Sequence, residues 1–142
     1  MSNKPLDVLD EFLWNLKIEN YDAASKCVQL SFKSKYSKLQ LIHWLESCIP
    51  FRMQSYKING LYKRTDGLDE SVFKTFDVDV TDYSNRVYKC YPNVICEDRP
   101  YRASVDGTWG VNPISSIPKD MYSDDKHDKN KKRNLKRLKN LL

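Results

Sequence analysis

The amino-acid sequence predicts an α+β domain: N-terminal helices packed on a curved antiparallel β-sheet, followed by a basic C-terminal tail or helix. Two observations carry the fold class. Apolar residues recur every three or four positions up to Pro50, and every second position after it. The strand-like half is then divided by turn residues and ends with Asp106-Gly107 between two short apolar runs. A third observation sets the tail apart. The last 14 residues, KNKKRNLKRLKNLL, hold seven basic residues and no acid.

In the first helix, Pro5 suits the opening turn, where its missing N–H costs nothing. Leu6, Leu9, Leu13 and Leu16 form a stripe that Phe12 widens. A second helix is expected from the cap Asp22 through AASKCVQL, with Ala24, Cys27, Val28 and Leu30 or Ser31 inward. A third begins near Ser37, where Ser37 and Gln40 have capping-box spacing. Its buried face is Leu41, Trp44, Leu45 and Cys48, and Pro50 stops it.

Beyond Pro50, QSYKINGLYKR reads as a strand with a bulge or kink at Gly60. SVFKTFDVDVTD is the clearest strand. It puts Val72, Phe76, Val78 and Val80 on one face, broken by Lys74, and Phe73, Thr75, Asp77 and Asp79 on the other. RVYKCY continues the β pattern, with Pro92-Asn93 and Asp98-Arg99-Pro100 as breaks. Asp106-Gly107 predicts a type I′ hairpin turn, which needs positive φ at both turn positions. The domain is expected to span residues 1–118, with a linker and basic amphipathic extension over 119–142.

Charge and composition narrow the function. The chain carries 24 Lys plus Arg against 19 Asp plus Glu, a formal +5. Residues 129–142 contribute +7, so subtracting them from +5 leaves −2 for residues 1–128. The basic character therefore belongs to the tail and implies no basic face on the body. No window approaches the roughly 18 uncharged apolar residues of a membrane span. The N-terminus has acids within its apolar stretch, unlike a signal peptide, so a cytoplasmic protein is expected. Cys27, Cys48, Cys90 and Cys96 form no CxxC pair, and His43 and His127 do not complete a zinc site. The cysteines read as buried thiols, and neither metal nor cofactor is expected. Phosphate loops and nucleophile elbows are absent from the sequence.

The helix order, the YDAASKCVQLSF segment, the helix starting at Ser-Lys-Leu and the closing VDGTWGV resemble the NTF2-like, cystatin-like α+β cone superfamily. The likeness is to its small domain-of-unknown-function and conjugation-protein branches, and it covers about Pro5 to Pro118. It implies a pocket between sheet and helices, which isomerases and dehydratases of that superfamily furnish with Asp or His. Other members use the fold as a binding or dimerisation module. The catalytic alternative here would draw on Asp77, Asp79 and His43, with Tyr88 and Arg102 as neighbours. Against it, the valine face of the strand is the natural pocket lining, which leaves Asp77 and Asp79 outward, paired with Arg86 or Arg102. Trp109 reads as a core plug, and the strand tyrosines 56, 62, 83, 88, 91 and 101 as half-buried. The Phe73/Thr75 face suits a modest homodimer interface.

The partner-binding candidates are Lys131, Lys132, Arg133, Lys136, Arg137 and Lys139, with Leu135, Leu138 and Leu142. As a helix they form a narrow leucine stripe beside a broad basic face. Such a helix is marginal alone in water and orders on docking. Nucleic-acid phosphates, an anionic membrane surface (about 1 kcal/mol per basic residue) or a protein groove all suit it. A non-enzymatic assembly module, in a mobile-element or complex-assembly role, is the expected function. The alternative is a small-ligand-binding or isomerase/dehydratase-like pocket protein.

Overall fold

The computed structural model describes residues 4–48, 53–63, 66–116 and 118. Four helices come first: α1 (Pro5–Lys17), α2 (Tyr21–Ser25), α3 (Leu30–Lys35) and α4 (Lys38–Cys48). Six strands follow: β1 (Met53–Leu61), β2 (Phe73–Asp82), β3 (Val87–Cys90), β4 (Asn93–Arg99), β5 (Arg102–Ala103) and β6 (Thr108–Val111). The sheet is antiparallel, curved and open, so the fold class is α+β. The expected extension over 119–142, the Cys48 side chain and His127 lie outside the described residues.

The helices start where local chemistry starts them. Pro5 opens α1. The capping box of α4 is reciprocal: Ser37 N donates to Gln40 Oε1 at 2.8 Å, and Gln40 N to Ser37 Oγ at 3.1 Å. The expected second helix is instead two. Asn20, not Asp22, caps α2 through Ala23 N. The chain then leaves the helix because Cys27–Gln29 lies along β6. Val111 N donates to Cys27 O at 2.8 Å and Gln29 N to Val111 O at 3.1 Å, with a parallel bridge at Val28. These bonds cover a sheet edge that would otherwise present free backbone groups. Gly110 permits the contact, since a Cβ there would lie 2.3 Å from Gln29 Cα.

Strand β2 is central. It pairs with β1 on one edge, and with β3 then β4 on the other. Val78 opposite Cys90 and Thr75 opposite Asn93 belong to one unbroken register, so β3 and β4 act as one strand interrupted at Tyr91-Pro92. Proline lacks the ladder donor but keeps its acceptor: Phe76 N donates to Pro92 O at 3.0 Å. Pro92-Asn93 therefore interrupts the sheet without ending it, and Asn93 begins β4 rather than a loop. On β1 the pairing shifts between Ile58 and Gly60, which has φ +127, so the bulge falls at the glycine as the sequence predicts.

The hairpin expected at Asp106-Gly107 does not form. Both flanking segments pair with β4: Ala103 and Thr108 each face Glu97. Gly107 is absent from the positive-φ residues, and a Cβ there would lie 2.2 Å from the Glu97 carbonyl carbon. This glycine is required by a close backbone approach, not by a type I′ turn.

The core joins Leu9, Phe12, Leu13 and Leu16 of α1 to Leu41, Trp44 and Leu45 of α4. Beneath them lie Phe76, Val78, Val80, Val94 and Val111 of the sheet. Fully burying each such side chain contributes about 1.5–3 kcal/mol. Leu6, expected in the buried stripe, is 46% exposed.

Candidate interaction surface

Helix α1 has an outer face that its inner stripe does not predict. At 100° per residue, Asp7, Asp10, Glu11, Trp14, Lys17 and Ile18 fall on the arc away from the buried leucines, and the exposed Leu6 lies at its edge, beside Leu13. Trp14 is 49% and Ile18 50% exposed. A solvated helix face ordinarily carries polar residues, so three large apolar side chains among acids stand out. Beside this arc, α1 and β1 form an open groove of about 380 Å³ lined by Asp10, Trp14, Lys17, Ser55, Tyr56 and Ile58.

The groove's polar groups are positioned. Tyr56 Oη donates to Asp10 Oδ1 at 2.6 Å, tying β1 to α1. Burial, and then the Asp10 carboxylate, push the Tyr56 hydroxyl's pKa up. The Lys17 ammonium lies 5.1 Å from the centre of the Trp14 ring. Strand β1 closes this end of the sheet, with β2 as its neighbour in the sheet order.

The candidate acids are elsewhere. Val78 and Val80 face the helices, so Asp77 and Asp79 lie on the opposite face of β2. Their partner is Lys89 rather than Arg86 or Arg102, because Lys89 is directly opposite Asp79 in the register. Lys89 Nζ lies 2.8 Å from Asp77 and 2.7 Å from Asp79, and Asn59 Nδ2 donates to Asp77 at 3.2 Å. The Lys89 ammonium holds both carboxyls below their ordinary range. Arg86 lies over the Tyr88 ring at 5.3 Å, and Arg102 reaches Asp98 at 3.4 Å. Tyr88 is buried and donates its hydroxyl to Asp82 at 3.0 Å. His43 is exposed on α4. Asp77, Asp79, His43, Tyr88 and Arg102 are thus not brought together around one cavity.

On the Phe73 side, Thr75 is buried and donates its hydroxyl to Asn93 at 2.7 Å, which withdraws it from the surface. The exposed rings there are Tyr62 and Tyr91, with centroids 4.6 Å apart. Trp109 is half-buried against the core.

Among the described residues the buried acid is Glu97 of β4, 3% exposed, whose carboxylate reaches the start of α3. Its carboxylate accepts from Ser31 N at 3.2 Å, Gln29 Nε2 at 3.4 Å, Tyr101 N at 3.1 Å and the Ser31 hydroxyl. It does for α3 what a capping side chain does, since Gln29 at the cap position makes no such bond itself. Cys27, Cys90 and Cys96 are buried free thiols. Burial pushes Cys27 up to about 11 and Cys90 to about 12, which suits packing and not nucleophilic chemistry.

Sequence reasoning missed the outer α1 face and Glu97. A signal existed for each. The first helix has more apolar residues than one stripe can bury, and Glu97 interrupts the apolar run VIC. Among the described residues, no group of three or more His, Cys, Asp or Glu is placed to hold a metal ion. No helix among them is long and apolar enough to cross a membrane. Comparison with protein-family models, with curated proteins and with solved structures returns no significant match.

Proposed function

We propose that this chain is a non-enzymatic binding and assembly module, an α+β domain of the NTF2-like cone kind. Its basic amphipathic C-terminal extension docks an acidic partner. The observation that carries the reading is charge segregation. Residues 1–118 hold 15 Lys plus Arg and 15 Asp plus Glu, so the whole +5 excess belongs to residues 119–142. A body without net charge has little long-range attraction for polyanions, whereas a cluster of seven cations has much. Support also comes from the surface acids: the Asp77–Asp79 pair is already matched by Lys89 and faces away from the core. Pairing of two copies through the Phe73 face belongs to the same proposal, with the exposed Tyr62 and Tyr91 as its contact rings.

The test replaces Lys131, Lys132, Arg133, Lys136 and Arg137 by Gln in the full chain. Wild type and variant are titrated with duplex DNA, RNA and phosphatidylserine-containing vesicles over a salt series. Wild type should bind at least one of them at low salt, with affinity falling as salt rises. The variant should bind at least about tenfold more weakly. Equal binding by both would remove the tail from the function.

A further inference from the structure

We propose that residues 129–142 dock back onto the outer face of α1 and the adjoining α1–β1 groove of their own chain. This deepens the proposed function by naming what holds the tail before an acidic partner arrives. Chemical complementarity is the first ground. The outer arc of α1 presents Trp14 and Ile18, each about half exposed, with Leu6 at its edge, among three acids, Asp7, Asp10 and Glu11, and one cation, Lys17. The tail presents Leu135, Leu138 and Leu142 at helical spacing, beside seven cations. Half-exposed apolar side chains on a face of net negative charge meet an apolar stripe edged with cations, which is how an amphipathic helix seats in a groove.

Length is the second ground. Leu6 to Ile18 covers about 18 Å of helix, and Leu135 to Leu142 about 10 Å, so the shorter stripe fits within the longer. Residues 119–128 can span up to about 33–36 Å when extended. A domain of this size has a radius of gyration of about 13–14 Å, so that span is about one domain diameter, and the chain leaves the sheet at Val111, which shares its core with Leu9, Phe12 and Leu13 of α1. Tethering decides between this chain and a second copy, because a short linker supplies an effective concentration in the millimolar range. A docked tail is withheld from outside polyanions, so weakening the α1 seat must strengthen their binding.

The test uses the full chain, labelled with nitrogen-15. Leu135→Asp with Leu138→Asp should shift amide signals of residues 6–18 and 55–58 and leave those of β4 unchanged. Trp14→Ala should reproduce those tail-dependent shifts and raise affinity for duplex DNA or phosphatidylserine vesicles at least about threefold. Glu11→Lys, a charge reversal on the same arc with no packing role, should act in the same direction. Tail-variant signals identical to wild type at 6–18 would overturn the proposal, and so would shifts that grow with protein concentration, which would place the tail on a second copy. The two readings fail separately. Tail-dependent shifts without polyanion binding leave the docking and remove the acidic partner; polyanion binding without those shifts does the reverse.

Discussion

The molecule holds carboxylates in two ways. Glu97 is buried without a cation beside it in its hydrogen-bond set and is satisfied by four donors, three of them fixed to the start of α3. Asp77 and Asp79 sit on the open face of β2 and are satisfied by one long, mobile-ended lysine and an asparagine. A buried carboxylate costs several kcal/mol unless its lone pairs are met by aligned donors, so Glu97 comes with backbone N–H groups already in place. The half-buried Asp77 and Asp79 keep part of their water, so Lys89 adds less to them than the fixed donors add to Glu97. The first arrangement belongs to the architecture of the fold; the second tunes a surface.

Breaking the buried member should have the largest effect. Glu97→Ala leaves Ser31 N and Gln29 Nε2 without this acceptor and Tyr101 N with Ser31 Oγ alone, and unfolding in urea should show a loss of about 3 kcal/mol. Glu97→Gln, which keeps one acceptor oxygen, should lose clearly less. A Glu97→Ala variant as stable as wild type would show that α3 needs no acid. Next comes Gly107→Ala, whose Cβ would strike the Glu97 backbone. A loss of about 2 kcal/mol is expected, because the obstacle is main chain and cannot swing aside. Gly67→Ala, where nothing lies within 4 Å, is the control for a glycine that only its φ of +74 constrains.

The surface pair should yield the smallest effect, and one that depends on pH. Asp77 and Asp79 have carboxyl pKa values lowered in the folded state, with Lys89 as first cause. Their contribution is therefore present above the ordinary carboxylate range and is lost as pH falls through the lowered values. Lys89→Ala should return both upward, toward their unfolded values, and so shrink the part of the acid limb of the stability curve that these two groups supply. Carboxyl carbon chemical shifts followed from about pH 5 to pH 2 would read this directly. Unmoved midpoints would mean that Lys89 does not set these acids.

Much of the fold was legible because the signals were local. Pro5, the Ser37–Gln40 box, the Gly60 bulge and the valine face of β2 each act within a few residues of chain. The outward placement of Asp77 and Asp79 followed from the same two-residue alternation. What failed depended on distant partners. The helix expected from Asp22 breaks because Cys27–Gln29 has β6 to bond to, over 80 residues away in sequence. The Asp106-Gly107 pair was read for its torsion angles, but the glycine answers to the backbone of Glu97. Strand β4 hid between two sets of breakers, one of which only interrupts it.

By itself the sequence determined the helix-then-strand order, the buried sides of α1 and β2, and the separation of charge between body and tail. These follow from periodicity and composition, which need no knowledge of neighbours. Only the tertiary structure decided that Leu6, Trp14 and Ile18 stay outside, that Glu97 goes inside, and that Lys89 partners both surface acids. Burial is a property of two surfaces meeting, and the chain carries at most half of each such pair at any one position.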